Sequence, residues 1–137
     1  MPELPEVEIT ARLLGAAVAG ASVQQVRVPG LNVLKTFDPP PDALVGCELT
    51  GIRRRGKHLI VETGGGLSVL VHLMSAGRLQ LFDAPASMRD RTARLLLGLD
   101  DGRELRLREF GTRQRAWAKV LPAGAVDDDP AIAALGP

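Results

Sequence analysis

The chain opens MPELPEVE, with Pro2 directly behind the initiator methionine and Glu3, Glu6 and Glu8 within the first eight residues. Two readings suit such a start. One is a helix N-terminus: proline is tolerated in the first turn, where its missing N–H was unpaired anyway, and acids there favour the positive end of the dipole. The other is that the terminus itself is a reagent. Elsewhere the reactive inventory is thin. Cys47 is the single cysteine, so no internal disulfide forms, and no Cys/His cluster has metal-ligand spacing. What remains is cationic. From Arg53 to Lys119 the chain carries 14 Lys and Arg against 7 Asp and Glu, although the whole molecule nets only +1. Arginine outnumbers lysine 14 to 3, and its planar fork suits bidentate phosphate contacts. This surplus fits either a solvated sheet surface or a nucleic-acid face, whose footprint is local and needs no large total charge.

These residues need a frame. At 137 residues and 45% hydrophobic content, the chain is one globular domain by length and long enough to bury a core. No apolar run approaches a membrane span, and no basic stretch followed by an apolar core opens the chain. A cytosolic, metal-free chain is the expectation. Val7, Ala11, Leu14 and Val18 recur at helical spacing, which predicts a helix over 5–18 with Gly20 as its stop. Short β-like runs follow at 22–28, 49–55, 58–63, 67–73, 78–82, 92–99, 104–108 and 116–121. Turn chemistry joins two of these pairs, Gly64-Gly65-Gly66 in one and Asp100-Asp101-Gly102 in the other. LNVLKTFDPPP at 31–41 reads as an irregular loop, since consecutive prolines cannot join a sheet interior. Eight strands at this spacing predict an antiparallel sandwich or barrel. Near the end, Asp129 is placed to cap a helical turn with Pro130 at its first position.

MPELPEVE at the terminus, RRGKHLIVE at 54–62, LVHLMSAGRL at 70–79, LREFG at 107–111 and the closing LGP together resemble the formamidopyrimidine-DNA glycosylase/endonuclease VIII family, in the family's order. The resemblance implies a mainly β fold with α: an N-terminal helix, a two-sheet antiparallel β-sandwich of about eight strands and a short C-terminal helix. It implies a catalytic domain over 1–125 and, at 126–137, the start of a linker toward a helix–two-turn–helix and zinc-finger half that has no counterpart here. Zinc is expected only in that other half, and no cofactor in this chain.

The chemistry implied is a covalent one. Loss of Met1 leaves Pro2 with a secondary amine; with Met1 retained, the same nitrogen is an amide and no nucleophile. A terminal amine is less basic than a lysine side chain, about pKa 8 against roughly 10.4, so more of it is unprotonated near neutral pH. Attack on a sugar C1′ gives an iminium that serves as an electron sink and permits strand cleavage by elimination. By the resemblance Glu3 is the general acid/base, Glu6 positions the terminus or DNA, and Lys57 reaches the lesion's sugar-phosphate and assists proton transfer. His72, Arg54 and Arg55 are expected at the DNA. Met74, Arg108 and Phe110 occupy the places of the residues that fill the gap left by a flipped base. Two departures stand out. The usual HLGMSG appears as His72-Leu73-Met74-Ser75-Ala76-Gly77, displacing the methionine by one residue. The usual DPRRFG ends here as Arg108-Glu109-Phe110-Gly111, an acid where a second arginine is customary. A phosphate-contacting histidine falls at Arg89, which keeps the role and strengthens the charge.

The expected function is therefore a bifunctional DNA glycosylase/AP lyase of base excision repair, acting on oxidised purines (formamidopyrimidine, 8-oxoguanine). Alternatives are endonuclease VIII-like action on oxidised pyrimidines, a non-catalytic DNA-binding paralogue, or an unrelated β-sandwich interaction module. The expected partner is damaged double-stranded DNA, with no membrane and a monomeric state, in a bacterial cytoplasm at the nucleoid.

Overall fold

A computed structural model describes residues 4–30, 33–35, 38–74, 76–87, 89–111 and 114–135. Helix α1 (Leu4–Val18) leads, and eight strands follow: β1 (Val23–Arg27), β2 (Leu49–Arg55), β3 (His58–Thr63), β4 (Leu67–His72), β5 (Gly77–Phe82), β6 (Ala93–Leu99), β7 (Glu104–Glu109) and β8 (Trp117–Pro122). A 3-10 turn (Ala123–Asp128) and the short helix α2 (Pro130–Ala133) close the chain. The strands form two four-stranded antiparallel sheets, ordered β1-β6-β7-β5 and β2-β3-β4-β8. This is the sandwich of the two architectures the strand spacing allowed.

Alternation decides which residues are core. Leu95, Leu97, Leu105 and Leu107 of one sheet face Val61, Val69 and Val71 of the other across a nearly closed interior. Burial of this kind contributes about 25 cal/mol per Å² of apolar surface removed from water. Helix α1 lays Val7, Ala11 and Val18 into the same core. Its close seat on β2 depends on Gly15, because a Cβ there would lie 2.8 Å from the Ile52 backbone nitrogen. A second, smaller cluster joins Ile60 and Leu70 on the outer face of the β2-β3-β4-β8 sheet to Val126 and Ile132. Asp129 fixes that C-terminal segment: its carboxylate accepts the Ala131 N–H at 3.0 Å and pairs with Lys119 at 2.8 Å.

One stretch departs from its loop expectation. Val33 and Lys35 exchange backbone hydrogen bonds with Ala118, and Leu34 forms a parallel bridge to it. The reason is that β8 is a sheet edge, whose unpaired backbone groups need a partner. Residues 31, 32, 36 and 37 of that stretch lie outside the described residues, while 38–40 join no strand and Pro41 opens a 3-10 turn to Leu44.

Candidate functional site

Strand register alone gathers most of the expected residues at one end of the sandwich. Arg55 pairs with His58, His58 with His72, and His72 with Trp117, which defines the end of one sheet. Gly77 pairs with Glu109 and Ala93 with Arg108, which defines the end of the other. The chain passes directly from β4 to β5, which joins the two ends. Helix α1 delivers its own N-terminus there, because Glu6, Val7 and Thr10 line a cleft of about 130 Å³ with Leu73, Arg78, Leu79 and Gln80. Pro2 and Glu3 lie outside the described residues, as does Ser75. Glu6 is exposed at the cleft rim.

Lys57 stands exposed at the tip of the β2–β3 hairpin. The turn is two residues long, and its first, Gly56, has φ +61° as such a turn requires of glycine. Arg54 braces this hairpin from below. Its Nη1 donates to the Gly56 carbonyl at 3.1 Å and its Nε lies 3.5 Å from Glu8. Arg55 is half-buried on the neighbouring position.

Beside the hairpin, His58, His72 and Trp117 form an aromatic row, with the two imidazoles edge-on at 4.5 Å between centroids and Trp117 within 5.7 Å of both. The Met74 N–H donates to His72 Nδ1 at 2.9 Å. That bond requires an unprotonated Nδ1, so the neutral ring carries its proton on Nε2, which is then a donor. Burial, then the charge repulsion of His58 and Lys57, lowers the His72 pKa to about 4. Met74 itself has φ +55°. The one-residue displacement in the motif thus sets methionine at the position where HLGMSG has glycine, in a backbone region that L-residues other than Asn and Asp rarely visit.

On the other sheet, Arg108 is held from three sides. Its Nε donates to Thr92 Oγ1 at 2.9 Å, its Nη1 to Gln80 Oε1 at 3.1 Å, and the guanidinium lies 4.7 Å from the Phe110 ring centre. Phe110 remains 46% exposed, a large apolar ring presented to solvent. Glu109, the departure from the usual arginine, points the opposite way. It is 1% exposed, accepts the N–H groups of Arg115 and Ala116 at 2.8 and 3.0 Å, and faces Arg94 at 3.6 Å. It anchors the loop that follows Phe110.

Residues 83–87 and 89–92 strap across the outer face of this sheet. Glu104 accepts the Ala86 N–H and pairs with Arg27 and Arg106, each at 2.8 Å, while Arg106 stacks on Phe82 and donates to the Ala84 carbonyl. Arg89 sits exposed on this strap. Sequence reading missed Arg78, Gln80, Asp90 and Thr92. Period-two alternation in 78–82 already puts Arg78, Gln80 and Phe82 on one face; the strap's contacts leave no such mark. A larger groove of about 380 Å³, lined by Arg27, Val28, Pro29, Ser87, Asp90, Ala93 and Leu96, contains none of the expected residues. Among the described residues no group of His, Cys, Asp and Glu forms a metal cluster, and no helix is long and apolar enough to cross a membrane.

Residues 1–114 match the family described as formamidopyrimidine-DNA glycosylase N-terminal domain. The formamidopyrimidine-DNA glycosylase of Pelobacter propionicus is 37% identical over the whole chain and half of its own length, and that of Halorhodospira halophila is 36% identical over the same shares. The chain therefore spans about half the length of the curated relatives it matches. A Lactococcus lactis Fpg structure solved with a FAPY-dG-containing DNA superposes with a TM-score of 0.79 at 26% identity, covering 90% of this chain and 46% of that one.

Proposed function

The chain belongs to the formamidopyrimidine-DNA glycosylase N-terminal domain family, and on that premise we propose that it supplies the catalytic domain of a DNA glycosylase/AP lyase of base excision repair acting on oxidised purines in duplex DNA. The observation that carries the reading is convergence. Glu6, Lys57, His72 and the Arg108–Phe110 pair come from four separate parts of the chain, yet register and the α1 contacts bring them to one end of the sandwich.

The chemistry follows from the residue types. The Pro2 nitrogen, freed of Met1, donates its lone pair to C1′ as the C1′–base bond breaks, and the base leaves with that electron pair and takes up a proton. Glu3 is the proton handler next to the amine. Loss of the amine proton and opening of the C1′–O4′ bond, with O4′ taking up a proton from Glu3, then give an iminium that withdraws electrons from C2′, so loss of a C2′ proton expels the 3′ phosphate by elimination. Lys57 and the Nε2–H of His72 are donors suited to flanking phosphates, and Arg89 adds a bidentate cation on the strap. Phe110 and Arg108 replace the stacking lost when the base leaves the helix.

Borohydride reduction tests this on the chain processed to Pro2, with a duplex carrying an abasic site. A covalent adduct mapping to Pro2 is expected. Pro2→Gly, which keeps a terminal amine, should retain part of it, and acetylating the terminus should abolish it. An adduct on Lys57 with Pro2 unmodified, or none at all with DNA bound, would sink the assignment.

A further inference from the structure

Arg108 owes its fixed direction to groups that lie outside the motif carrying it. Its Nε is taken by Thr92 Oγ1, and the same hydroxyl donates its proton to Asp90 Oδ1 at 2.5 Å. Asp90 also accepts the Thr92 N–H at 2.9 Å, so the acid holds this residue twice. Gln80, one strand away, takes Nη1. Among the described residues Nη2 donates no hydrogen bond, the Phe110 ring lies 4.7 Å from the guanidinium, and the second oxygen of Asp90 lies 4.0 Å from Nε. Asp90 is itself placed by the strap, which the Glu104–Arg106 pair fastens through Ala84 and Ala86.

We propose that Asp90, Thr92 and Gln80 are positioning residues that preset the Arg108 guanidinium for entry into the DNA stack. This rests on the proposed function above. The physical case is entropic and directional. A free arginine side chain loses much rotamer freedom when it is fixed. Two hydrogen bonds and a ring stack impose that order before DNA arrives, which is how preorganisation raises affinity without a new contact. The hydroxyl is essential to the device. A threonine bonded to a carboxylate must donate to it, which turns its lone pairs toward Arg108 and makes it a pure acceptor there. Valine has the same shape and cannot do this.

The test uses the chain with a duplex that carries a tetrahydrofuran abasic analogue opposite 2-aminopurine, whose fluorescence rises when the base is unstacked. Anisotropy of the same duplex reports binding, and signals are compared at saturation. The native chain should raise the 2-aminopurine signal and Arg108→Ala should remove that rise. Thr92→Val should shift the insertion equilibrium about tenfold toward the stacked form, the scale of one hydrogen bond to a charged group, with Thr92→Ser restoring it. In the Arg108→Ala background, Thr92→Val should change nothing further. Gln80→Leu provides an independent arm should Thr92→Val melt early. Equal losses with and without Arg108, or no loss from either Thr92→Val or Gln80→Leu, would overturn the positioning role alone. A native chain that does not bind the duplex would overturn the functional reading and this inference together.

Discussion

His72 couples folding to protonation in a direction that can be worked out. Its folded pKa is about 4, and burial also lowers that of His58, whereas an unfolded histidine titrates near 6.5. Between these values the unfolded chain binds more protons, so stability is full above about pH 6.5 and is lost as pH falls toward 4. Melting temperature should therefore drop between pH 6.5 and 4.5, a window above most carboxylate titrations. His72→Asn, which keeps an acceptor for the Met74 N–H, should flatten the drop; an unchanged slope in thermal melts would assign it elsewhere. Glu109 makes a second case. With Arg94 4% exposed beside it, restoring the customary arginine as Glu109→Arg places two buried guanidiniums together and strips the Arg115 and Ala116 amides of their acceptor. Removing one partner of a buried pair costs about 3–5 kcal/mol, and a like charge costs more, so the substitution should unfold or severely destabilise the domain. Adding Arg94→Leu should recover part of that loss in a denaturant melt.

The turn that bears Met74 shows how an element constrains a functional side chain. A left-handed backbone costs an L-residue about 1–2 kcal/mol, while glycine gives back roughly 0.5–1 kcal/mol in chain entropy. Met74→Gly should thus leave the melting temperature level or slightly raised, yet reduce unstacking at an abasic site if the side chain enters DNA. A clear loss of stability would mean that methionine packing outweighs the strain. Most of this frame was legible in the sequence. Every strand announced itself as a short β-like run, and α1 by its four apolar positions. Glu109 was legible too, since it shares the inward parity of Leu105 and Leu107. Its partner was not. The register shifts between Ala93 and Leu95, and a bulge of this kind re-aims a side chain against the period, here bringing Arg94 to Glu109. Pairings such as β1 with β6, or residues 33–35 with the β8 edge, are long-range and depend on the whole packing rather than on local pattern.

At the scale of the molecule, the sandwich separates charge along its length. Lys57, Arg78, Arg89 and Arg108 outnumber the one exposed acid, Glu6, at the end that holds the cleft, where Glu109 and Asp90 are turned inward or engaged. The opposite end carries Glu48, Asp100 and Asp101, drawn together through Ser22, with Asp101 paired to Arg103 at 2.7 Å. A net charge of +1 therefore hides a field that orients the chain on a polyanion, basic end first. Each neutralised phosphate releases counterions, giving a slope of about −0.9 in log affinity against log salt. If four phosphates are engaged at the basic end, affinity for any duplex should fall about a hundredfold between 50 and 200 mM salt. Lys57→Ala should reduce the slope by about one, and Arg89→Ala likewise, because each removes one phosphate contact. Glu48→Gln and Asp100→Asn, at the far end, should leave it unchanged. Titrations at three salt concentrations check this, and a slope altered by the far-end variants but not by Lys57→Ala would place the DNA on the wrong face of the fold.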